Sequence, residues 1–294
     1  MAMSIRPRRS VLYMPGSNAR ALEKAKSLPC DGVILDLEDA VAPDAKADAR
    51  SRIGEAVAAG GFGAREIIIR VNGLETPWGH DDLAMAAAAK PDAILLPKVQ
   101  DPEQLLVAGA RLDALGVPRT VALWAMIETP LAILDIKPIA QSSLNPLTRL
   151  KVFVLGTNDL AKETRAALTP GRAPMMGWLM QVLAAGHAYG IDVLDGVWNQ
   201  FQDTEGFAAE CRQGVEMGMD GKTLIHPGQI EPCNAAFSPP EAEVVRARAI
   251  IDLFDQPENA GKGVLQMDGR MVERMHADMA RRTVALADAI AANA

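Results

Sequence analysis

The sequence predicts a (β/α)8 barrel followed by a C-terminal helical extension. Eight short, nearly continuous apolar segments recur at intervals of about 30 residues, and each is followed by a helical pattern. Strands that are buried on both faces of a parallel sheet have this composition, whereas half-exposed strands alternate apolar and polar residues. A chain of 294 residues, 49% of them hydrophobic, is long enough to form one such barrel.

The predicted strands are short, and most carry polar residues near their carboxyl ends. They span residues 10–16, 32–39, 66–73, 93–99, 121–129, 151–159, 192–197 and 222–227.

Helix-start signals lie between the predicted strands. Ser17 precedes the first helical segment, Asp101-Pro102 precedes the segment that Gly116 closes, and Thr129-Pro130 precedes another. Proline at the first helical position is favourable because its missing N–H would have no partner there. These signals support helices between the strands.

The last strand is predicted to end near Pro227, so we expect a barrel domain over residues 1–237 and an extension over 238–294. Ser238-Pro-Pro-Glu241 resembles a capping box before a helix. Residues 261–270 suggest a short hairpin or loop, and a final helix is expected from Met271 onward. The extension needs a surface to pack on, either in its own subunit or in a neighbouring one.

Composition argues against several classes of partner. The formal charge is −7 and no long basic segment occurs, so we expect neither nucleic-acid nor membrane binding. No apolar run reaches the ~18 residues of a membrane span, and no apolar segment follows the charged N-terminus. Cys30, Cys211 and Cys233 are far apart, which favours reduced thiols. We therefore expect a cytoplasmic protein.

Two carboxylates end adjacent predicted strands. Active sites of (β/α)8 barrels lie at the carboxyl ends of the strands, where Glu128 and Asp159 are expected to be neighbours. Two carboxylates with room for water suit Mg²⁺, whereas zinc would require histidine or cysteine ligands. We therefore predict that both residues bind one Mg²⁺ ion. The alternative is that each caps the helix that follows it.

Further charged residues are expected at the same end of the barrel. Asp36, Glu38 and Asp39 are predicted to surround the metal-bound water, or else to pair with Lys46 or Arg50. Other polar strand ends include Asn72, Asn158 and Asp195.

Basic residues also end predicted strands. Arg70 follows an apolar strand and is predicted to contact substrate, or else to form an internal ion pair with the three acids. Lys98 could act similarly or pair with a neighbouring acid, and His226 could orient a ligand or be structural. No dinucleotide-binding, P-loop or nucleophile-elbow motif occurs.

Several motifs, in this order, resemble one family. They are RRSVLYMPGSN, LDLEDAVAPDAKADAR, IRVNGLETPWG, LLPKV, IETP, LGTNDL, GKTLIHPGQI, FSPPEAEV and DGRMV. They cover nearly the whole chain, which therefore resembles the citrate lyase beta-subunit-like family. This family includes malyl-CoA and citramalyl-CoA lyases and malyl-CoA thioesterases.

The resemblance implies an Mg²⁺-dependent enzyme that handles an acyl-CoA thioester and a small 2-oxo acid. It implies Mg²⁺ on Glu128 and Asp159, and catalytic roles for Arg70 and Asp268, the latter acting from an adjacent subunit. It also implies a homotrimer or homohexamer. The residues that we expect to bind substrate or CoA are Tyr13, Lys24, Arg70, Asn158, Ile225 and His226.

The expected reaction is a Claisen-type cleavage of a 3-hydroxyacyl-CoA, such as malyl-CoA or citramalyl-CoA, to acetyl-CoA and a 2-oxo acid. Alternatives are a malyl-CoA thioesterase, a pyruvate-type aldolase of free acids, and a non-catalytic metal-binding subunit. Asp268 argues against the beta chain of a citrate lyase complex, which tends to have another residue there. Asn18 stands where some malyl-CoA lyases have a CoA-contacting arginine.

Overall fold

A computed structural model describes residues 5–293 and contains a closed barrel of eight parallel strands. Each strand pairs with its sequence neighbours, and the first strand closes the ring against the eighth. The strands are β1 Ser10–Pro15, β2 Gly32–Asp36, β3 Glu66–Arg70, β4 Ala93–Leu96, β5 Ala122–Ile127, β6 Leu150–Leu155, β7 Asp192–Asp195 and β8 Gly221–Leu224. The predicted (β/α)8 barrel is confirmed.

Helices follow the strands and form the outer layer. They are α1 Ala19–Ala25, α2 Lys46–Ala59, α3 Gly79–Ala89, α4 Pro102–Ala114, α5 Pro130–Leu134, α6 Ile136–Gln141, α7 Thr157–Thr164, α8 Met176–Ala188, α9 Thr204–Met217 and α10 Ile230–Phe237. Within residues 5–293, no helix is both long enough and apolar enough to cross a membrane.

Successive strand residues belong to two separate apolar clusters. Val11, Ile34, Ile68 and Trp124 belong to the smaller cluster, which fills the lumen of the barrel. The residues between them along each strand join the larger cluster, which also contains the buried faces of the helices. Because side chains alternate at period two, this division determines which polar residues at the strand ends face the lumen.

The strands end earlier than predicted. β5 stops at Ile127 and β6 at Leu155, two and four residues short of the expected ends. Gly156 is the N-cap of α7, so Asp159 lies in the first turn of that helix and not at a strand end.

Some predicted helix starts are confirmed and others are wrong. Asp101 caps α4 in a capping box with Gln104, and Thr129 caps α5. The cap of α1 is Asn18, whose side chain accepts hydrogen bonds from the first helical turn, and not Ser17. This structural role accounts for an asparagine at that position. The predicted box at Ser238 is wrong, because Pro240 is the N-cap and no side chain caps the helix.

The chain divides into two compact units. One unit is Arg8–Phe237, which contains the barrel, and the other comprises residues 238–293 together with residues 5–7. The second unit contains α11 Glu241–Asp255, β9 Val264–Met267, β10 Arg270–Glu273 and α12 Arg274–Ala292.

The predicted hairpin between α11 and α12 is confirmed. β9 and β10 are antiparallel and are joined by Asp268-Gly269, which have φ angles of 51° and 74°. Asp-Gly favours the two-residue hairpin turn that needs positive φ at both positions. The final helix begins at Arg274 and not at Met271, because residues 270–273 pair with β9.

Candidate active site

Three charged side chains extend the lumen-facing series at the carboxyl end of the barrel. Asp36 follows Ile34 on β2, Arg70 follows Ile68 on β3, and Glu128 comes two residues after Met126 on β5. The period of two therefore places all three above the apolar lumen. They are all buried.

Glu128 has one carboxylate oxygen in a hydrogen bond and one without a partner. Oε1 accepts a hydrogen bond of 2.8 Å from the backbone N–H of Lys98. Oε2 is buried and has no hydrogen-bond partner among residues 5–293. Burial raises the pKa of this carboxyl to about 7. A buried carboxylate oxygen without a partner is costly, and either a proton or a bound cation would lower this cost.

Glu128 and Asp159 follow the ends of two paired strands, β5 and β6. β5 and β6 pair in register up to Ile127 and Leu155, so Glu128 is next to Gly156. A Cβ atom on Gly156 would lie only 2.5 Å from Oε2 of Glu128. Gly156 and Asp159, three residues later, both line the cavity over the barrel.

The alternative that both acids only cap helices is wrong. Thr129 caps α5 with its own side chain, and Gly156 is the N-cap of α7. Glu128 and Asp159 are therefore available for other contacts.

The donor set fits Mg²⁺. Among the described residues, no group of three or more histidine, cysteine, aspartate or glutamate side chains is arranged to hold a metal. Mg²⁺ is usually bound by one or two protein carboxylates. Water and substrate oxygens occupy its remaining coordination positions. A structural zinc site would need four protein ligands.

Arg70 forms the internal ion pair that the sequence offered as an alternative to substrate contact. Its Nε and Nη2 atoms donate to the two oxygens of Asp36 at 2.6 and 2.7 Å, and its Nη1 lies 2.8 Å from Glu38. The guanidinium also lies over the ring of Tyr13, 4.9 Å from the centroid. Burial alone would lower the pKa of Arg70, but the surrounding negative charge raises it well above its ordinary value. Arg70 also lines the cavity, so the ion pair positions it there without excluding substrate contact.

The acids around Arg70 have different partners. Asp36 also accepts hydrogen bonds from the backbone of Glu38 and Ala40, which fills its acceptor positions and favours a role in orienting Arg70. Asp39 lies 3.5 Å from Arg70 and is largely exposed at the cavity. Burial raises the pKa of Glu38, although Arg70 and Lys98 act in the opposite direction.

The predicted alternative partners of these acids bind elsewhere. The ammonium of Lys46 donates to the backbone carbonyls of residues 37 and 38 and to Asn72. Arg50 pairs with Asp82. Both therefore support the loops after β2 and β3 and form no direct carboxylate pair with the acids of β2.

The cavity over the barrel has a volume of about 280 Å³. Its floor includes Tyr13 and Met126, and the sulfur of Met126 lies 3.7 Å from Nη1 of Arg70. Of the residues predicted for the site, those that line it are Tyr13, Asp36, Asp39, Arg70, Asn158, Asp159 and Ile225.

Other predicted site residues of the first unit, among them Glu128, Glu38, Lys24 and His226, do not line this cavity. Lys24 is exposed in the last turn of α1. His226 accepts a hydrogen bond from the N–H of Gly228, caps a short 3-10 helix and stacks on Phe201 at 5.0 Å, which supports its structural interpretation. Asp268 belongs to the second unit, where it forms the hairpin turn.

Sequence reasoning missed a buried charge network beside the site. Lys222 on β8 is fully buried and donates to Asp195 and Glu210 at 3.0 and 2.6 Å. Arg172 donates to the same aspartate at 2.6 Å. Burial would raise the pKa of Asp195, but these two cations hold it below its ordinary value. A lysine inside an apolar strand was the available signal.

The three cysteines are free and buried, consistent with the expected thiols.

Comparisons with known proteins identify the family. The family model described as "HpcH/HpaI aldolase/citrate lyase" matches residues 9–227, and a second model, "C-C_Bond_Lyase of the TIM-Barrel fold", matches residues 172–291. The chain belongs to the HpcH/HpaI aldolase/citrate lyase family. The resemblance that the motifs indicated is thereby confirmed.

Individual relatives within this family match over most of the chain. A (3S)-malyl-CoA thioesterase from Cereibacter sphaeroides is 47% identical over 292 residues, 99% of each chain. An L-malyl-CoA/beta-methylmalyl-CoA lyase from the same species is 32% identical, covering 98% of this chain and 96% of the relative. A citrate lyase beta subunit from M. tuberculosis, solved with oxaloacetate and magnesium, is 25% identical with a TM-score of 0.66, over 81% of this chain and 100% of that chain.

Proposed function

We propose that this protein is an Mg²⁺-dependent carbon–carbon lyase that cleaves a 3-hydroxyacyl-CoA such as malyl-CoA or citramalyl-CoA. The observation that carries the proposal is the buried Oε2 atom of Glu128, which has no partner among residues 5–293 and lies against Gly156. Gly156, Asp159 and Arg70 line one cavity. The magnesium in the solved citrate lyase beta subunit and the malyl-CoA lyase among the relatives support it.

Glu128 and Asp159 would hold the metal. When bound, Mg²⁺ would act as a Lewis acid on the hydroxyl and carboxylate oxygens of the 3-hydroxyacyl-CoA. This would lower the free-energy cost of converting the hydroxyl to the carbonyl of the 2-oxo acid. Arg70 would stabilise the negative charge that develops on the thioester oxygen as the carbon–carbon bond breaks. Its bidentate pair with Asp36 keeps the guanidinium plane fixed, so little reorganisation is needed.

As the carbon–carbon bond breaks, the substrate hydroxyl would lose its proton to solvent and become the carbonyl of the 2-oxo acid. Asp268 would donate one proton to the carbon that becomes the methyl group of acetyl-CoA, so the protons balance. This role rests on the family resemblance, as does the expectation that it is supplied by an adjacent subunit of a trimer or hexamer. Light scattering on the purified protein measures the oligomeric state, and a monomer would refute the shared site.

A second candidate is hydrolysis of the malyl-CoA thioester. The relative that is 47% identical over the whole chain is a (3S)-malyl-CoA thioesterase, and this observation favours the second candidate. The two reactions differ in the bond that breaks, and the same metal and arginine would serve either one.

One product assay separates the candidates. The protein is incubated with malyl-CoA or citramalyl-CoA and Mg²⁺, and the products are resolved by chromatography. Lyase activity gives acetyl-CoA plus glyoxylate or pyruvate, whereas hydrolysis gives free CoA and the hydroxy acid. A parallel incubation contains free hydroxy-keto acids in place of the thioesters. Cleavage of these acids, with no reaction of either thioester, would indicate an aldolase. Mg²⁺ binding without turnover would leave a non-catalytic subunit, and EDTA serves as the control.

A further inference from the structure

Lys98 has an unusual backbone conformation immediately after β4. Its φ angle is +50°, in the left-handed region that lysine seldom occupies. Glycine would adopt this conformation without strain. A non-glycine residue held in this region next to a candidate site suggests that the conformation and the side chain are both used.

The backbone of Lys98 orients the candidate metal ligand. Its N–H donates to Oε1 of Glu128 at 2.8 Å and leaves Oε2 without a partner among the described residues. Its carbonyl lies 3.5 Å from Nε2 of Gln104, which also takes part in the capping box of α4. The left-handed turn therefore fixes which carboxylate oxygen is left for a cation.

The side chain of Lys98 reaches the other half of the site. Its ammonium donates to Oε1 of Glu38 at 2.9 Å, and Oε2 of the same carboxylate lies 2.8 Å from Nη1 of Arg70. The Lys98 side chain is 35% exposed, so most of its surface is covered by the protein. Glu38 is thus held between two cations, and Arg70 is held by Glu38 and Asp36.

We propose that Lys98 is a positioning residue that sets both the metal ligand and the arginine. Its backbone N–H orients Glu128, and its ammonium orients Arg70 through Glu38. Glycine at position 98 would donate the same backbone hydrogen bond to Glu128 without strain. It would have no side chain to contact Glu38, and this second contact explains why the position holds a lysine. The inference rests on the proposed function, because it concerns Mg²⁺ binding and turnover at that site.

Two substitutions separate the two contacts. Lys98→Gly keeps the N–H and removes the ammonium, so Mg²⁺ affinity should be unchanged or tighter, since a nearby positive charge is lost. Turnover should fall by about 10- to 100-fold, the usual cost of losing a residue that orients a site. Lys98→Val also removes the ammonium but disfavours positive φ, so it should in addition weaken Mg²⁺ binding by about 10- to 100-fold.

Lys90 offers a matched control. It has a φ of +52° as the C-cap of α3, is exposed, and does not line the cavity. Lys90→Gly and Lys90→Val therefore repeat the same backbone change away from the site. They should shift the thermal midpoint and leave Mg²⁺ affinity and turnover within about twofold of wild type. Lys98→Arg, which keeps a cation, should recover most of the turnover lost in Lys98→Gly.

The measurements are calorimetric titration with Mg²⁺, steady-state turnover, and thermal denaturation of each variant. Equal Mg²⁺ affinity for Lys98→Val and Lys98→Gly would overturn the backbone role, and wild-type turnover of Lys98→Gly would overturn the side-chain role. Lys98→Ala replaces Lys98→Val if the valine variant does not fold. If the wild-type protein binds no Mg²⁺, the proposed function itself is refuted. If the wild-type protein binds Mg²⁺ and turns over substrate, and the Lys98 variants match it in both measurements, only this inference is refuted.

Discussion

Replacing Gly156 by alanine should damage the metal site through a single methyl group. A Cβ atom at this position would lie 2.4 Å from Cβ and 2.5 Å from Oε2 of Glu128. Carbon atoms in contact are normally about 3.5–4.0 Å apart, so relief of the overlap needs a movement of roughly 1 Å. The φ of Gly156 is −97°, which alanine adopts without strain, so the effect is steric.

The expected loss of Mg²⁺ affinity in Gly156→Ala depends on how far a ligand oxygen can move before it leaves the metal. Mg²⁺ requires oxygens at about 2.0–2.1 Å in nearly octahedral positions, and a displacement of ~1 Å removes an oxygen from the coordination sphere. We expect Mg²⁺ affinity to fall at least about tenfold and turnover about 100-fold. Overpacking should lower the free energy of unfolding by about 1–3 kcal/mol.

Calorimetric titration with Mg²⁺, turnover against Mg²⁺ concentration and thermal denaturation in EDTA test this prediction. Gly177→Ala is the matched control, because nothing lies within 4 Å of the added Cβ and the residue is in α8. That variant should bind Mg²⁺ normally and be as stable as wild type or slightly more so. If Gly156→Ala binds Mg²⁺ within twofold of wild type, the assignment of Glu128 as the ligand packed on Gly156 is refuted.

Four further predictions concern the same site. Glu128→Ala should abolish Mg²⁺-dependent turnover with the fold intact by circular dichroism, and normal activity at saturating Mg²⁺ would exclude Glu128 as a ligand. Arg70→Lys should lower turnover by about 100-fold, because a point charge cannot replace the planar fork that Asp36 and Glu38 orient; near-normal kinetics would contradict this. Mixed oligomers of Asp268→Ala and Arg70→Ala protomers should regain part of the activity, and verified mixed oligomers without rescue would argue against shared sites. Since burial raises the pKa of Glu128 to about 7, protons compete with Mg²⁺ below that pH. The ionised fraction grows as pH rises, so Mg²⁺ affinity should increase by about tenfold from pH 6 to pH 8, and a flat titration profile would refute the competition.

The barrel could be predicted because its strands are continuous apolar segments buried on both faces. The period of two along β2, β3 and β5 also determined that Asp36, Arg70 and Glu128 face the lumen. These properties are local, so a single sequence contains them. The position of Asp159 was predicted less well, because the chain turns at Gly156 and the aspartate belongs to α7.

Other features of the site depend on contacts between distant parts of the chain. The conformation of Lys98 and the close approach of Gly156 to Glu128 have no local signature, because lysine and glycine occur in many settings. The network around Lys222 joins residues from α9, β7 and the loop before α8. The sequence left open whether Arg70 forms an internal ion pair or contacts the substrate. In the structure, its ion pair with Asp36 holds the guanidinium at the cavity, where it can also contact a substrate.

The charges around the cavity explain why a divalent cation suits this site. Five carboxylates lie at or beside the cavity, and three basic side chains contact them or the loop that carries them. The carboxylates belong to Asp36, Glu38, Asp39, Glu128 and Asp159, and the basic groups to Lys46, Arg70 and Lys98. With all five carboxylates ionised, they would outnumber the three basic groups by two, an excess that a bound divalent cation would offset. Without the ion, buried negative charge is relieved by taking up protons, and the raised pKa values of Glu38 and Glu128 have this origin. If Glu128 holds the ion as proposed, the burial that raises its pKa would also strengthen its interaction with the ion.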